Sequence, residues 1–159
     1  MDQEQQSIFN AYKFSRHMIQ MTDARIIGCD FENKKPFLGE PSYHIKFFLK
    51  RGVKLVTSNL CHGFLYAQIN VFSKTSHELV LPIEIKCIGN FSLVEGAQLG
   101  ENEFVKQVEL QLVPQLLPYV REALSMVSTM SLAVPLILPT MDVIQSIRAN
   151  KECLNDGAH

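Results

Sequence analysis

The chain has 159 residues, of which 47% are apolar and 19% are charged, and its formal net charge at pH 7 is -1. This length suits one domain that buries a hydrophobic core without help from disulfides or metal. No apolar run approaches the roughly 18 residues that a membrane helix needs. The apolar composition therefore predicts a soluble protein whose surplus apolar surface lies in a core, a subunit interface or a binding groove.

The N-terminus and the cysteines favour a cytoplasmic location. Residues 1–6 are polar and acidic, the reverse of a signal peptide. The four cysteines show no paired spacing and mostly lie in apolar runs, as free thiols do in a reducing compartment. Charge is uneven along the chain, because residues 1–75 carry ten Lys or Arg against six Asp or Glu and residues 76–159 carry five against ten. This asymmetry is compatible with self-association or a polar partner.

The first third of the chain predicts one strand between two less regular segments. Residues 1–15 are Gln-rich and predict either a short helix or a loose arm. A strand pattern follows over residues 17–32. The Pro- and Gly-containing stretch 33–42 predicts a loop, yet it carries Phe37 and Leu38, which a purely solvated connector would not need.

Residues 43–56 predict two short strands or one bent strand. The Arg51-Gly52 pair is the expected irregularity. Residues 60–73 then alternate, with Leu65, Ala67, Ile69 and Val71 on one face and a mixture of aromatic and polar residues on the other. Such a mixed face is usually half covered by a partner subunit or a ligand.

Residues 76–93 alternate again, which predicts a fourth strand. Pro82 interrupts its polar face. Because proline cannot donate to a ladder, we expect an edge strand or a break in pairing at this position.

The apolar period changes to a helical one from Glu101 onward. Pro114 and Pro118 interrupt that run, so the better helix is predicted from Pro118 to Met130. Residues 132–139 hold two prolines among large apolar residues and should be extended.

Thr140 is expected to cap a last helix over residues 141–150, followed by a short flexible tail at 151–159. Strands followed by helices predict an α+β fold with a four-stranded antiparallel sheet. No repeat or linker divides the chain, so residues 1–159 are interpreted as a single domain.

The sequence resembles the SecB family of protein-export chaperones. The segment Leu-Pro-Tyr-Val-Arg-Glu at 117–122 looks like the family motif of an aromatic or aliphatic residue followed by Pro-Tyr-x-Arg-Glu. Residues 132–136 are similar to its Pro-containing connector, residues 91–96 to the end of its fourth strand, and residues 26–32 to its first strand. The similarity spans about residues 20–150, and the Pro-Tyr-x-Arg-Glu element is its most specific part.

The resemblance implies helices packed on one side of the sheet and assembly into a homotetramer, a dimer of dimers. It implies an ATP-independent holdase, without cofactor or metal, that keeps unfolded precursors competent for translocation through the Sec pathway. It also implies contact with the SecA motor through two acidic positions, which fall on Glu32 and Glu84.

This sequence departs from the family at two places. A further acidic position of the SecA contact falls on Gly28, and the zinc-associated SecA-binding tail is missing. Some SecB-like proteins without that tail guard the antitoxin of a toxin–antitoxin pair. An antitoxin is therefore the alternative partner.

The candidate client-binding groove combines apolar side chains of the loop, of the mixed strand face and of the C-terminal segments. These residues are Phe37, Leu38, Tyr43, Phe64, Tyr66, Phe72, Leu132, Val134, Ile144 and Ile147. The other interpretation is that several belong to the ordinary core or to an interface.

One stripe of the predicted helix is the candidate oligomer interface. It consists of Tyr119, Ala123, Met126 and Val127, next to small residues that allow close helix approach. Packing on the chain's own sheet is the alternative.

The sequence disfavours an enzyme. Its five histidines form no metal-ligand spacing, and no Gly-rich phosphate loop is present. The adjacent Cys61 and His62 should point to opposite faces of a strand, which is poor geometry for a thiolate pair.

Two further rival functions are considered. Lys46, Lys50, Arg51 and Lys54, with Phe47 and Phe48 between them, make a small basic and aromatic hairpin, but a chain with a pI near 6.5 is a poor phosphate binder. A structural module or a site for an apolar small ligand stays open as an alternative of another class.

Overall fold

The computed structural model describes residues 2–39, 42–140 and residue 144. Its elements are α1 (Gln3–Met18), β1 (Ile19–Phe31), β2 (Tyr43–Thr57), β3 (Leu60–Ser73), β4 (Leu79–Leu93) and α2 (Glu101–Leu132). The strands form one antiparallel sheet in the order β1-β4-β3-β2. The predicted α+β fold, with helical structure after a four-stranded antiparallel sheet, is confirmed.

The N-terminal segment forms a helix that is docked on α2. Asp2 caps it, since its carboxylate accepts from the Gln5 amide and the Gln5 side chain accepts in return from the Asp2 amide. Near the C-terminal end of α1, the Ser15 hydroxyl and the Tyr12 carbonyl accept hydrogen bonds from the Gln111 side chain of α2. Of the two predicted alternatives, the structure therefore shows a helix, and β1 begins at Ile19 rather than at residue 17.

β2 and β4 differ from the sequence prediction in detail. β2 continues through Arg51 and Gly52, and its irregularity lies between Leu55 and Thr57. The Arg51 side chain reaches α2, where its Nη1 donates to the Glu109 carbonyl at 2.7 Å, so this residue is built into a regular strand.

β4 is an inner strand, so the edge-strand interpretation of Pro82 is wrong. The ladder between β1 and β4 ends at the Phe31–Ile83 pair, so Pro82, the next residue along β4 in that direction, has no partner on β1. The break in pairing that proline requires is therefore present, and it comes from where β1 stops.

The core lies between one face of the sheet and α2. The predicted apolar face of β3 is buried there together with the matching face of β4. Gly63 and Gly89 are paired across β3 and β4, and a Cβ at Gly63 would lie 2.7 Å from Cε2 of Phe91 and 2.9 Å from Cδ1 of Leu112. The two glycines thus make room for the Phe91 ring beneath α2.

α2 is one helix of 32 residues, which corrects the prediction of a helix limited to Pro118–Met130. It passes through Pro114 and Pro118. A proline in a helix costs about 3 kcal/mol or more. Burial of a continuous apolar face from Phe104 to Val127 offsets this cost, because that face covers the sheet.

The helix ends at Leu132, where Ala133 takes a left-handed conformation with φ 58°. The chain then turns back along α2: the Leu136 amide donates to the Ser128 hydroxyl at 2.7 Å, and Arg121 Nη2 donates to the Pro139 carbonyl at 3.3 Å. This return segment forms neither helix nor strand over residues 133–140. The prediction that residues 132–139 are extended is wrong at its start, because Leu132 still belongs to α2 and Ala133 is left-handed.

The expected last helix at 141–150, apart from residue 144, and the tail at 151–159 lie outside the described residues. Within the part that is described, no helix is long and apolar enough to cross a bilayer.

Candidate functional site

The loop that follows β1, described over residues 32–39, is anchored to the C-terminal end of α2. Asn33 Nδ2 donates to the Ser131 carbonyl at 2.6 Å, and its Oδ1 accepts from the Lys35 amide at 3.0 Å. The Lys34 amide donates to the Val80 carbonyl at 2.9 Å. These contacts fix the base of the loop and leave its apolar tip, at Phe37, projecting from the protein.

A cavity of about 310 Å³ lies between this loop and the end of α2. Its lining comprises Asn33, Lys35, Pro36, Phe37, Leu38, Gly39, Tyr43, Met130, Ser131, Leu132 and Ala133. The Phe37 side chain is 98% exposed and Met130 is 69% exposed. Large apolar side chains held this openly at the rim of a cavity are typical of a surface that another molecule covers.

Four of the ten predicted groove residues line this cavity: Phe37, Leu38, Tyr43 and Leu132. Phe64, Tyr66 and Phe72 do not. They alternate along β3 with the buried core residues, so they lie on the outer face of the sheet, which is the face away from α2. The predicted groove is therefore divided between two faces of the sheet.

The remaining three predicted groove residues follow α2. Val134 is half-buried in the return segment. Ile144 is half-buried as well, whereas Ile147 lies outside the described residues.

The two acidic positions assigned to SecA contact line one cavity of about 340 Å³. Glu32 and Glu84 share it with Asp30, Phe31 and Pro82, and both glutamates are exposed. Asp30 and Glu84 are direct cross-strand partners. Three carboxylates therefore gather at the end of β1, where Glu84 joins Asp30 and Glu32 from a distant part of the sequence.

Glu84 also contacts Tyr66, an aromatic side chain of the outer face. Burial, together with a hydrogen bond to Glu84 and its charge, raises the pKa of Tyr66. The hydrogen bond to Glu84 places Tyr66 beside the acidic cavity.

The sequence matches no protein-family model and no curated protein at a significant level. Among solved structures, it is similar to Rv1957, a SecB-like chaperone of Mycobacterium tuberculosis, with a TM-score of 0.70 at 14% identity. The match covers 85% of this chain and 99% of that chain. This chain has the SecB-like fold. The resemblance predicted from its sequence is thereby confirmed at the level of the fold.

The Rv1957 structure is a complex with a ChAD peptide from the HigA1 antitoxin Rv1956. A protein of unknown function from Streptococcus agalactiae also matches, at 13% identity over 77% of this chain and 98% of that chain, but its TM-score is 0.40.

The predicted interface stripe packs mostly within this chain itself. Val127 is 4% exposed and belongs to the core, so its side chain is not available to a partner subunit. Tyr119 and Ala123 are half-buried and pack against the same core. Met126, at 58% exposed, is the one of the four that projects from the surface of the chain. Its neighbour Val127 points inward because α2 turns about 100° per residue.

Sequence reasoning missed an exposed apolar row on β1. Ile26 is 38%, Ile27 is 56% and Phe31 is 45% exposed, and β1 is an edge strand. Ile27 has no partner in the ladder to β4, because a register shift lies between Ile26 and Gly28, so regular two-residue alternation in the sequence could not have placed it. The anchoring role of Asn33 was also missed, because its partner is 98 residues away.

The two buried thiols of the sheet, Cys61 and Cys87, are held in the protonated form. Burial raises the pKa of Cys61 to about 11, and burial together with the neighbouring Cys29 raises the pKa of Cys87 to about 11. A thiol held protonated is a poor nucleophile. Among the described residues, no group of three or more His, Cys, Asp or Glu side chains could hold a metal ion.

Proposed function

We propose that this SecB-like protein is a holdase chaperone that binds unfolded polypeptide without ATP, and that its principal client is an antitoxin. The observation that carries the proposal is the fully exposed Phe37 on an anchored loop beside the α2 cavity. The Rv1957 complex supports an antitoxin segment as client in preference to a general export precursor.

The geometry suits weak, tolerant recognition of extended chains. The cavity is near the lower end of the roughly 300–1,000 Å³ that ligand pockets span, enough for one or two client side chains. Phe37 and Leu38 offer apolar area worth about 25 cal/mol per Å² covered, without demanding a particular client shape. Ordering an unfolded client costs about 0.5–1.5 kcal/mol per side chain, so one such site binds weakly.

Assembly would convert weak sites into useful affinity. We infer a homotetramer, in which a long client reaches several cavities and each contact after the first is intramolecular. The exposed Met126 on α2 and the apolar row on β1 supply surface for that assembly. We further propose that the protein acts in the cytoplasm and that its function needs no catalysis and no cofactor.

Export of precursors with delivery to SecA is the second candidate. The acidic cavity formed by Asp30, Glu32 and Glu84 favours it, since a basic partner segment would be attracted there. SecA binding that depends on Glu32 and Glu84 would support this candidate, and binding that survives Glu32→Gln with Glu84→Gln would oppose it.

The test of the main proposal is the double variant Phe37→Ser with Leu38→Ser. Fully burying a Phe side chain is worth about 1.5–3 kcal/mol, so loss of Phe37 alone should weaken client binding about 10- to 150-fold. Anisotropy titration with a fluorescent unfolded client measures this. Suppression of client aggregation in the absence of nucleotide is a second measurement of client binding.

Phe14→Ser is the matched control, because Phe14 is 50% exposed on α1 and does not line the cavity. We expect the control to bind like the wild type, and both variants to keep the wild-type mass by light scattering. Unchanged client affinity in the double variant would remove the loop from the binding site. An antitoxin encoded beside the chaperone gene, compared with a Sec precursor, separates the two candidate client classes.

A further inference from the structure

Met130 lies in the last turn of α2 and lines the α2 cavity, which is the cavity between the loop that follows β1 and the end of that helix. Its side chain is 69% exposed, so most of it stands in solvent at the rim. Phe37, at 98% exposed, lines the same cavity from the loop. An oxidisable thioether is therefore presented to solvent at the place where the client is proposed to bind.

The backbone around Met130 is held in place. The carbonyl of Ser131, the next residue, accepts the hydrogen bond from Asn33 at 2.6 Å. The hydroxyl of Thr129, the preceding residue, donates to the Ser125 carbonyl at 2.7 Å. The Cα of Met130 thus has a fixed position relative to the loop, while its unbranched side chain adapts to clients of different shape.

The other methionines lack this combination of exposure and position. Four of the six methionines of the chain are described. Met18 and Met21 are half-buried and pack against the core. Met126, at 58% exposed, lies one turn before Met130 but does not line the α2 cavity. Among the described methionines, Met130 is therefore the one that is both open to solvent and part of the client site.

An exposed methionine sulfur is oxidised by a peroxide. The sulfur lone pair attacks one oxygen of hydrogen peroxide, the O–O bond breaks, an S=O bond forms and water leaves. The sulfur loses two electrons, and the peroxide is reduced. The product, methionine sulfoxide, is polar where the thioether was apolar. A methionine sulfoxide reductase reverses the step with a dithiol, which becomes a disulfide while the sulfoxide oxygen leaves as water.

We propose that Met130 is a site of reversible oxidation by peroxide, and that its oxidation releases clients from the α2 cavity. This inference rests on the proposed function, because it concerns the same cavity. A client that covers the cavity removes water from the Met130 side chain. The thioether is stabilised by that burial. The sulfoxide oxygen instead loses hydrogen bonds to water that an apolar client side chain does not replace.

The other interpretation is that Met130 is merely a good helix former at an exposed position. Leucine and methionine have similar helix propensities, so Met130→Leu keeps the helix and the apolar wall and removes the oxidisable sulfur. The two interpretations thus differ in one measurable property, the response of client affinity to an oxidant.

The experiment measures the affinity of the full chain for a fluorescent unfolded client without Met or Cys. Anisotropy titrations are made before and after treatment with hydrogen peroxide, once the peroxide has been removed. Dithiothreitol follows the peroxide, so that sulfenic acid or disulfide at the exposed Cys29 is reduced while methionine sulfoxide persists. Peptide mapping should show Met130 oxidised before Met18 and Met21.

Client affinity should fall at least about fivefold on oxidation. It should return after treatment with the two methionine sulfoxide reductases, one for each sulfoxide epimer. Oxidation of Met18 or Met21 ahead of Met130 would overturn the proposal. A loss of affinity that the reductases leave in place would overturn it as well, because irreversible damage elsewhere would then be the cause.

Met130→Leu should abolish the response to peroxide, and Met126→Leu, its matched control, should keep it. Each variant is compared with itself before and after oxidation, so a change in basal affinity caused by the substitution does not enter the comparison. An equal fall in affinity for Met130→Leu and the wild type would show that another group carries the effect, and the site would be wrong.

Two further measurements separate the site from a loss of structure. The oxidised protein should keep the mass by light scattering and the circular dichroism of the reduced protein, and a change in either would assign the effect to stability and overturn the proposal. Normal client binding by the Phe37→Ser, Leu38→Ser variant would refute the proposed function. Normal binding by oxidised wild type would refute only the role of Met130, so the two failures are distinguishable.

Discussion

Replacing Gly63 by Ala tests what sets the distance between α2 and the sheet. The new Cβ would lie 2.7 Å from Cε2 of Phe91 and 2.9 Å from Cδ1 of Leu112, whereas carbon atoms in contact are about 3.5–4.0 Å apart. About 0.8 Å must therefore be taken up. Phe91 and Leu112 are both fully buried, so neither side chain can move into solvent.

Overpacking of this kind costs about 1–3 kcal/mol. For a chain of this size, each kcal/mol shifts the Tm by about 2–4 °C, so Gly63→Ala should lower the Tm by about 2–12 °C. Chemical denaturation followed by circular dichroism measures the free energy directly. Adding Phe91→Leu to Gly63→Ala should cost less than the sum of the two single changes, because the smaller side chain relieves the contact.

Gly52→Ala is the matched control on β2. Its Cβ would meet no heavy atom within 4 Å, so this change should leave stability unchanged or raise it slightly. The steric reasoning would be refuted if Gly63→Ala were as stable as Gly52→Ala, or if Phe91→Leu and Gly63→Ala were simply additive.

Three further predictions concern the loop anchor and the thiols. Asn33→Ala removes the hydrogen bond to the Ser131 carbonyl and should cost about 0.5–1.5 kcal/mol of stability while weakening client binding several-fold; unchanged client titration would mean that the loop needs no anchor. At pH 8, iodoacetamide should alkylate the exposed Cys29 and spare Cys61 and Cys87 until denaturant is added, as followed by peptide mapping; early loss of either buried thiol would contradict their burial. Because these two thiols have an ordinary pKa near 9.0 and a folded pKa of about 11, the protonated form favours the folded state, so the free energy of unfolding should be constant below about pH 9 and fall as the pH rises toward 11.

Local periodicity determined most of the fold. The two-residue alternation from Leu65 to Val71 assigns one face of β3 to the core, because successive strand residues point to opposite faces. The change to helical spacing after Glu101 located α2, because residues at that spacing share one face of a helix. The Asp2–Gln5 capping pair lies within one turn, so the start of α1 was also accessible from sequence.

Long-range packing decided what periodicity could not. Pro114 and Pro118 argue locally for a break, yet α2 continues because its buried face covers the whole sheet. Pro82 argues locally for an edge strand, but β4 is an inner strand. It tolerates the proline because its pairing partner β1 stops before reaching it.

In the candidate site, too, some features follow from local sequence and others from long-range packing. The sequence by itself marked Phe37 and Leu38 as apolar residues in a polar loop, since that contrast is local. Only the tertiary structure placed Phe64 on the face away from that loop, and Val127 in the core beside an exposed Met126. The physical reason is that the sheet has two faces and α2 has one buried stripe, and packing between them, rather than any local pattern, selects which side chains meet.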